Sequence, residues 1–145
     1  SFDACASNLG WLKAVGSAFR DYPLVVEVRH VSWLKDENLD GLRKLGIGFC
    51  NIDQPHSARS IGHTNLATAP VAYYRFHGRN RENWWSGDNV SRYDYLYSRA
   101  ELEERLPDIL SMKNSSMRLF IAFNNHHKGQ AAQNALLFTE LMENT

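Results

Sequence analysis

Leu24-Val25-Val26-Glu27-Val28-Arg29 is a nearly continuous β-branched run opening after Pro23, and its reading decides the class of fold. Such a run suits a parallel strand covered on both faces. Before it, Leu9, Leu12, Val15 and Phe19 recur at helical spacing behind Asn8, an expected N-cap, which predicts a helix over 9–20. After it, the pattern predicts a helix from about Asp36 to Leu45 closed by Gly46, and strands over Ile47–Asp53 and Val71–His77. A helix from about Arg99 to Leu110 then follows, with Ser98 and Glu101 in capping-box spacing, and after it a strand over Met117–Phe123 and a helix from about Gln130 to Met142. Pro107 should kink or shorten the helix that holds it. This alternation implies a parallel sheet built by right-handed crossovers. The expected architecture is α/β: a helix, then four βα units, in one domain over 1–145. An open flavodoxin-like sheet fits it, and so does half of a (β/α)8 barrel, whose full form takes about 250 residues.

Composition bounds the function. The 16 Lys+Arg balance 16 Asp+Glu, and 43% of the 145 residues are hydrophobic, so the chain can bury a core and does not read as disordered. Balanced charge argues against an extended nucleic-acid surface, which needs clustered positive charge. Cys5 and Cys50 form no CxxC pair, so neither a disulfide framework nor a structural zinc site is expected. No apolar run approaches the roughly 20 residues of a membrane span, and the first residues lack a signal pattern. A cytoplasmic chain with no membrane partner is the expectation.

All four strands end in reactive residues: Glu27, Arg29 and His30; Asp53 and Gln54; Arg75, His77, Gly78 and Arg79; Asn124, Asn125, His126 and His127. In parallel α/β folds the carboxyl ends of strands open into the functional crevice, so groups from separate strands converge there. Glu27 and Arg29 are two apart and share a face, as do Arg75 and His77. An ordinary internal ion pair is the plain alternative. The stretch after Arg79 is a long loop rich in aromatics and a candidate lid. There Trp84 and Trp85 read as packing, whereas Tyr93, Tyr95 and Tyr97 alternate so that at least one, Tyr95 among them, reaches the pocket. Asn124 to Gln130 leads into a helix start able to hold an anion, or merely to cap. Glu27, Asp53, His77 and His126 also form a candidate set for a divalent metal. His56 and His63 read as surface histidines.

Glu27-Val28-Arg29-His30-Val31-Ser32-Trp33, Asp53 with Pro55, Tyr74-Arg75-Phe76-His77-Gly78-Arg79, Tyr93-Asp94-Tyr95-Leu96-Tyr97-Ser98, and Asn124-Asn125-His126 with Gly129-Gln130-Ala131 together resemble the YecE-like family. That family is a domain of unknown function with a TIM-barrel fold, loosely related to sugar isomerases. The resemblance implies that these are strands five to eight, the C-terminal half of the barrel, with the N-terminal half to be supplied by another segment or by a second copy. The leading functional expectation is general acid/base chemistry on an anionic, phosphorylated or carboxylated, sugar-like molecule. In it Arg29, His30, Arg75, Arg79, Tyr95, Asn124 and Asn125 bind the substrate. Glu27 or Asp53 acts as base, and His77 or His126 as acid. One alternative is metal-dependent hydrolysis of phosphoesters or nucleic acid. Another is a non-catalytic anion- or nucleotide-binding module competent on association.

Overall fold

The computed structural model describes residues 2–145, the side chain of Asn89 aside. Helix α1 (Ala6–Ala18) leads into strand β1 (Leu24–Val26), a 3-10 turn at Val31–Leu34, helix α2 (Asp36–Leu45) and strand β2 (Ile47–Asp53). Strand β3 (Val71–Phe76) follows, then the short helices α3 (Asn89–Arg92) and α4 (Arg99–Glu103), helix α5 (Leu106–Ser115), strand β4 (Arg118–Phe123) and helix α6 (Gln130–Glu143). The four strands make one parallel sheet in the order β1-β2-β3-β4.

Register shows where the helices lie. Leu24 and Val26 pair with Ile47 and Phe49, Asn51 and Asp53 with Tyr74 and Phe76, and these with Ile121 and Phe123. Paired residues of a parallel ladder point to one face. On this face Ile47 and Phe49 pack with Leu12 of α1 and Leu39 and Leu42 of α2. Tyr74 and Phe76 pack with Leu102, Ile109, Met112 and Phe138 of α4, α5 and α6. Both cores therefore lie on the same side of the sheet. A doubly wound sheet carries helices on both sides; this one matches a barrel wall, whose helices form an outer ring. The expectation that β1 is covered on both faces is corrected, since its residues are half-buried; β3 alternates half-buried and buried residues, whereas β2 is buried along its whole length.

Local departures have local causes. Asn8 does not cap α1; the helix starts after Cys5, and Asn8 Nδ2 donates to the Asp3 carbonyl at 2.8 Å. The β1 ladder ends at Val26, because residues 29–31 bond instead to the β2–β3 connection: Ile61 N–H donates to the Arg29 carbonyl and Val31 N–H to that of Arg59, each at 2.9 Å. That connection runs without a helix. Buried Asn51 pins it by accepting from Leu66 N–H at 2.9 Å and donating to the Leu66 carbonyl at 2.8 Å. Between β3 and β4, Pro107 starts α5 rather than sitting inside one long helix, and Ser98 and Glu101 make the capping box ahead of it. Gly46 ends α2 with φ +65°, the left-handed conformation that glycine takes without strain.

Candidate functional site

The helix-free face carries Glu27, Cys50, Tyr73, Arg75, Phe120 and Ala122 by the same register, and His77 and Asn124 continue it beyond the strand ends. At the C-terminal rim these side chains meet. Arg29 Nε and Nη2 donate to Glu27 Oε1 at 2.9 and 2.7 Å, and Arg75 Nη1 donates to Glu27 Oε2 at 2.6 Å. His77 Nε2 lies 3.1 Å from Glu27 Oε1, and Asn124 Nδ2 lies 3.4 Å from His77 Nδ1. His77 Nε2 also lies 3.2 Å from Arg29 Nη2, so this ring nitrogen faces a carboxylate acceptor and a guanidinium donor at once, and its protonation decides which of the two it bonds. His77 is only 1% exposed, and its burial, outweighing the Glu27 hydrogen bond, holds its pKa below the ordinary value. Burial pushes the Glu27 carboxyl up, but the His77 hydrogen bond and the Arg29 guanidinium outweigh it and bring its pKa down to about 2. Burial and the neighbouring Glu27 push the Cys50 thiol up to about 12, so it is no nucleophile.

Aromatic rings close one side of this cluster. Trp84 is buried and stands edge-on to His77 with centroids 6.1 Å apart, the Arg29 guanidinium lies 5.9 Å from the Trp84 ring, and Tyr93 bridges His77 to His126. His126 is exposed, with Nδ1 3.0 Å from the Asn124 carbonyl. A carbonyl only accepts, so Nδ1 carries the proton and Nε2 is the nitrogen left for a ligand. An opening of about 610 Å³ lies beside the β1 end of this cluster, lined by Glu27, Arg29 and His30 together with Ser57, Arg59 and Ser60; Arg75, His77 and His126 do not line it.

Several expected site residues stand elsewhere. Asp53 shares the helix-side parity of Ile47 and Phe49, not that of Glu27. It is buried with Arg79, whose Nε and Nη2 clamp its two oxygens at 2.8 and 2.7 Å, and with Tyr97, whose hydroxyl donates to Oδ1 at 2.8 Å. Fully buried Asp53 and half-buried Arg79 thus pair on the helix side of the sheet. Asn125 is buried and donates to the Tyr95 carbonyl at 2.8 Å and to Asn134 Oδ1 at 2.7 Å. Its place is in the scaffold of the 93–97 segment. Tyr95 gives its hydroxyl to Glu101, on the same side as Tyr97. His30 Nδ1 sits 2.8 Å from Ser32 Oγ and caps the 3-10 turn. Trp84 is buried packing, as the sequence reading expects, whereas Trp85 is exposed, which corrects that reading for the second tryptophan. The sequence reading misses Asn134; no spacing flags a helix asparagine that clamps Tyr97 from both sides. The proposed metal set is not assembled, since Asp53 lies on the opposite face from Glu27. Among the described residues, no three His, Cys, Asp or Glu side chains group closely enough to hold a metal ion. None of the described helices is long and apolar enough to cross a membrane.

The family model described as "Protein of unknown function DUF72" matches residues 1–145. The UPF0759 protein YunF of Bacillus subtilis is 27% identical over 98% of this chain and 54% of its own length. A crystallised DUF72 family protein from Thermotoga maritima superposes with a TM-score of 0.92 at 37% identity, over 99% of this chain and 54% of that one. One from Enterococcus faecalis gives 0.89 at 25% identity, over 99% and 55%. The chain thus spans about half the length of the relatives it matches. The family whose motifs the sequence resembles is the one its whole length matches, and this chain belongs to DUF72.

Proposed function

We propose that this chain forms one half of a closed barrel whose strand ends bind an anionic, sugar-sized molecule, phosphorylated or carboxylated, for general acid/base chemistry. The observation that supports this most is the convergence of two guanidiniums on one carboxylate, on the helix-free face and at the C-terminal rim. Each guanidinium uses only part of its donors there: Arg29 holds Glu27 through Nε and Nη2, and Arg75 through Nη1. Arg29 Nη1 and Arg75 Nη2 remain for a ligand oxyanion, and the geometry is set in advance by Glu27. A carboxylate held near pKa 2 is a weak base. Glu27 therefore anchors the arginines and fixes His77 instead of taking protons. The accessible proton carrier is His126, with Asn124 beside it. Arg79, Asn125, Tyr95 and His30 support the rim, and Asp53 holds Arg79 there.

Half-barrel character is supported by the edges. Strands β1 and β4 are each paired on one side only, and Phe120 on the helix-free face is 50% exposed. Such edges call for a partner, and the segment that the longer relatives carry is the natural complement. The test is a thermal-shift screen of the chain with a panel of sugar phosphates, repeated on Arg75→Ala. A shift in melting temperature that the variant loses supports the site. No shift from any member, or an equal shift in the variant, overturns it.

A further inference from the structure

Behind the sheet, between the β2–β3 connection and the loop after β3, lies a cavity of about 80 Å³ lined by Gln54, Pro55, His56, His63, Arg79 and Arg81. That is room for a few waters or for one small oxyanion. No carboxylate lines it. His56 Nδ1 lies 3.2 Å from the Ile61 carbonyl, which only accepts, so Nδ1 carries the proton and Nε2 is the nitrogen left over. The two imidazoles stand edge to face with centroids 5.1 Å apart. His63 Nδ1 is 3.8 Å from Asp53 Oδ2, beyond hydrogen-bond reach. Arg79 is fixed and compensated by Asp53 and, through Nη1, by Glu104 at 3.2 Å and Glu101 at 3.5 Å, while no carboxylate among the described residues pairs with exposed Arg81, which is therefore the uncompensated cation of the cavity. Gln54 is 4% exposed, and its Oε1 has no hydrogen-bond partner among the described residues.

We propose that this cavity is a second anion site, independent of the Glu27 cluster, which takes a small oxyanion of the phosphate class through Arg81, His56 and His63, with Arg79 as fixed charge. A singly protonated oxyanion also brings the O–H that an unpartnered amide oxygen such as Gln54 Oε1 accepts. Nothing in the barrel-face reading requires this site, because the two clusters sit on opposite sides of the strand layer. The groups facing His63 are Asp53 from β2, Arg79 from the loop after β3, Arg105 ahead of α5, and His56 from its own segment. Burial first, then Arg105, holds His63 below its usual pKa. A bound anion opposes both, so anion binding and protonation of His63 favour one another, and a bound oxyanion raises the His63 pKa.

The test is a titration of the chain, labelled with 15N-histidine, with inorganic phosphate at about pH 6, where histidine charge is adjustable. The expected result is a saturable shift of the His56 and His63 ring nitrogens and a raised His63 pKa. Affinity should fall about tenfold or more in Arg81→Ala and in His63→Gln, the latter read at His56. Arg75→Ala should bind phosphate here unchanged, which separates this site from the one on the other face. Both Arg81 and His63 are exposed, so neither substitution opens a cavity in the core. The proposal is overturned if the rings do not shift, if sodium chloride at equal ionic strength reproduces the shift, or if Arg81→Ala binds as tightly as the parent.

Discussion

Glu27 carries the electrostatics of the rim, and acid should reveal it in two steps. His77 has a folded pKa below its usual 6.5, so on acidification the unfolded chain takes that proton first. Its contribution to stability is full above about pH 6.5 and is lost as pH falls below that value. Glu27 goes from about 4.5 unfolded to about 2 folded, so its contribution is full above pH 4.5 and disappears as pH falls from there toward 2. Urea melts across pH 7 to 3 should show both declines, and Glu27→Gln should lack the lower one. At pH 7 the same variant should lose about 2 kcal/mol, because Arg29 and Arg75 are left facing each other without their counter-charge. A variant as stable as the parent would show that the cluster stores no such energy. Asp53→Asn removes the buried carboxylate that Arg79 clamps, leaving only the more exposed Glu104 and Glu101 to pair that half-buried guanidinium, and should also cost about 2 kcal/mol by chemical denaturation.

Elements show how much of this was legible in the sequence. Strand and helix bounds near Gly46, Ser98 and Pro107 follow from backbone chemistry that any chain obeys, and α2 and β2 begin and end where the pattern places them. Pairs two apart, such as Glu27 with Arg29 and Arg75 with His77, were legible as sharing a face because alternation is local. What was not legible is which face, relative to another strand. Asp53 and Glu27 both stand at strand ends, yet their registers put them on opposite sides, and only the pairing of β1 with β2 reveals that. Likewise the clamp of Tyr97 by Asn134 spans 37 positions, a contact that no local spacing announces. Asn134→Leu should therefore loosen the 93–97 segment and lower stability by about 2 kcal/mol, with faster amide exchange at Tyr95 and Tyr97. Gly78→Ala should be at least as costly. Gly78 has φ +95°, and an added Cβ would stand 2.9 Å from that of Tyr95.

For the whole molecule, the helix-free face, exposed at Phe120, and the two half-paired edges set the behaviour. The 145-residue chain should self-associate as concentration rises, and Phe120→Glu, which puts charge on the helix-free face, should shift it toward monomer by light scattering. A monomer at every concentration would mean that the sheet stands open by itself. The most direct measurement of the central claim is the crystal structure of the chain soaked with whichever sugar phosphate raises its melting temperature. The expected density places the oxyanion within hydrogen-bond distance of Arg29 and Arg75 on the helix-free face, with His126 beside the sugar. An oxyanion bound behind the sheet alone, or at the amino ends of the strands, would contradict it.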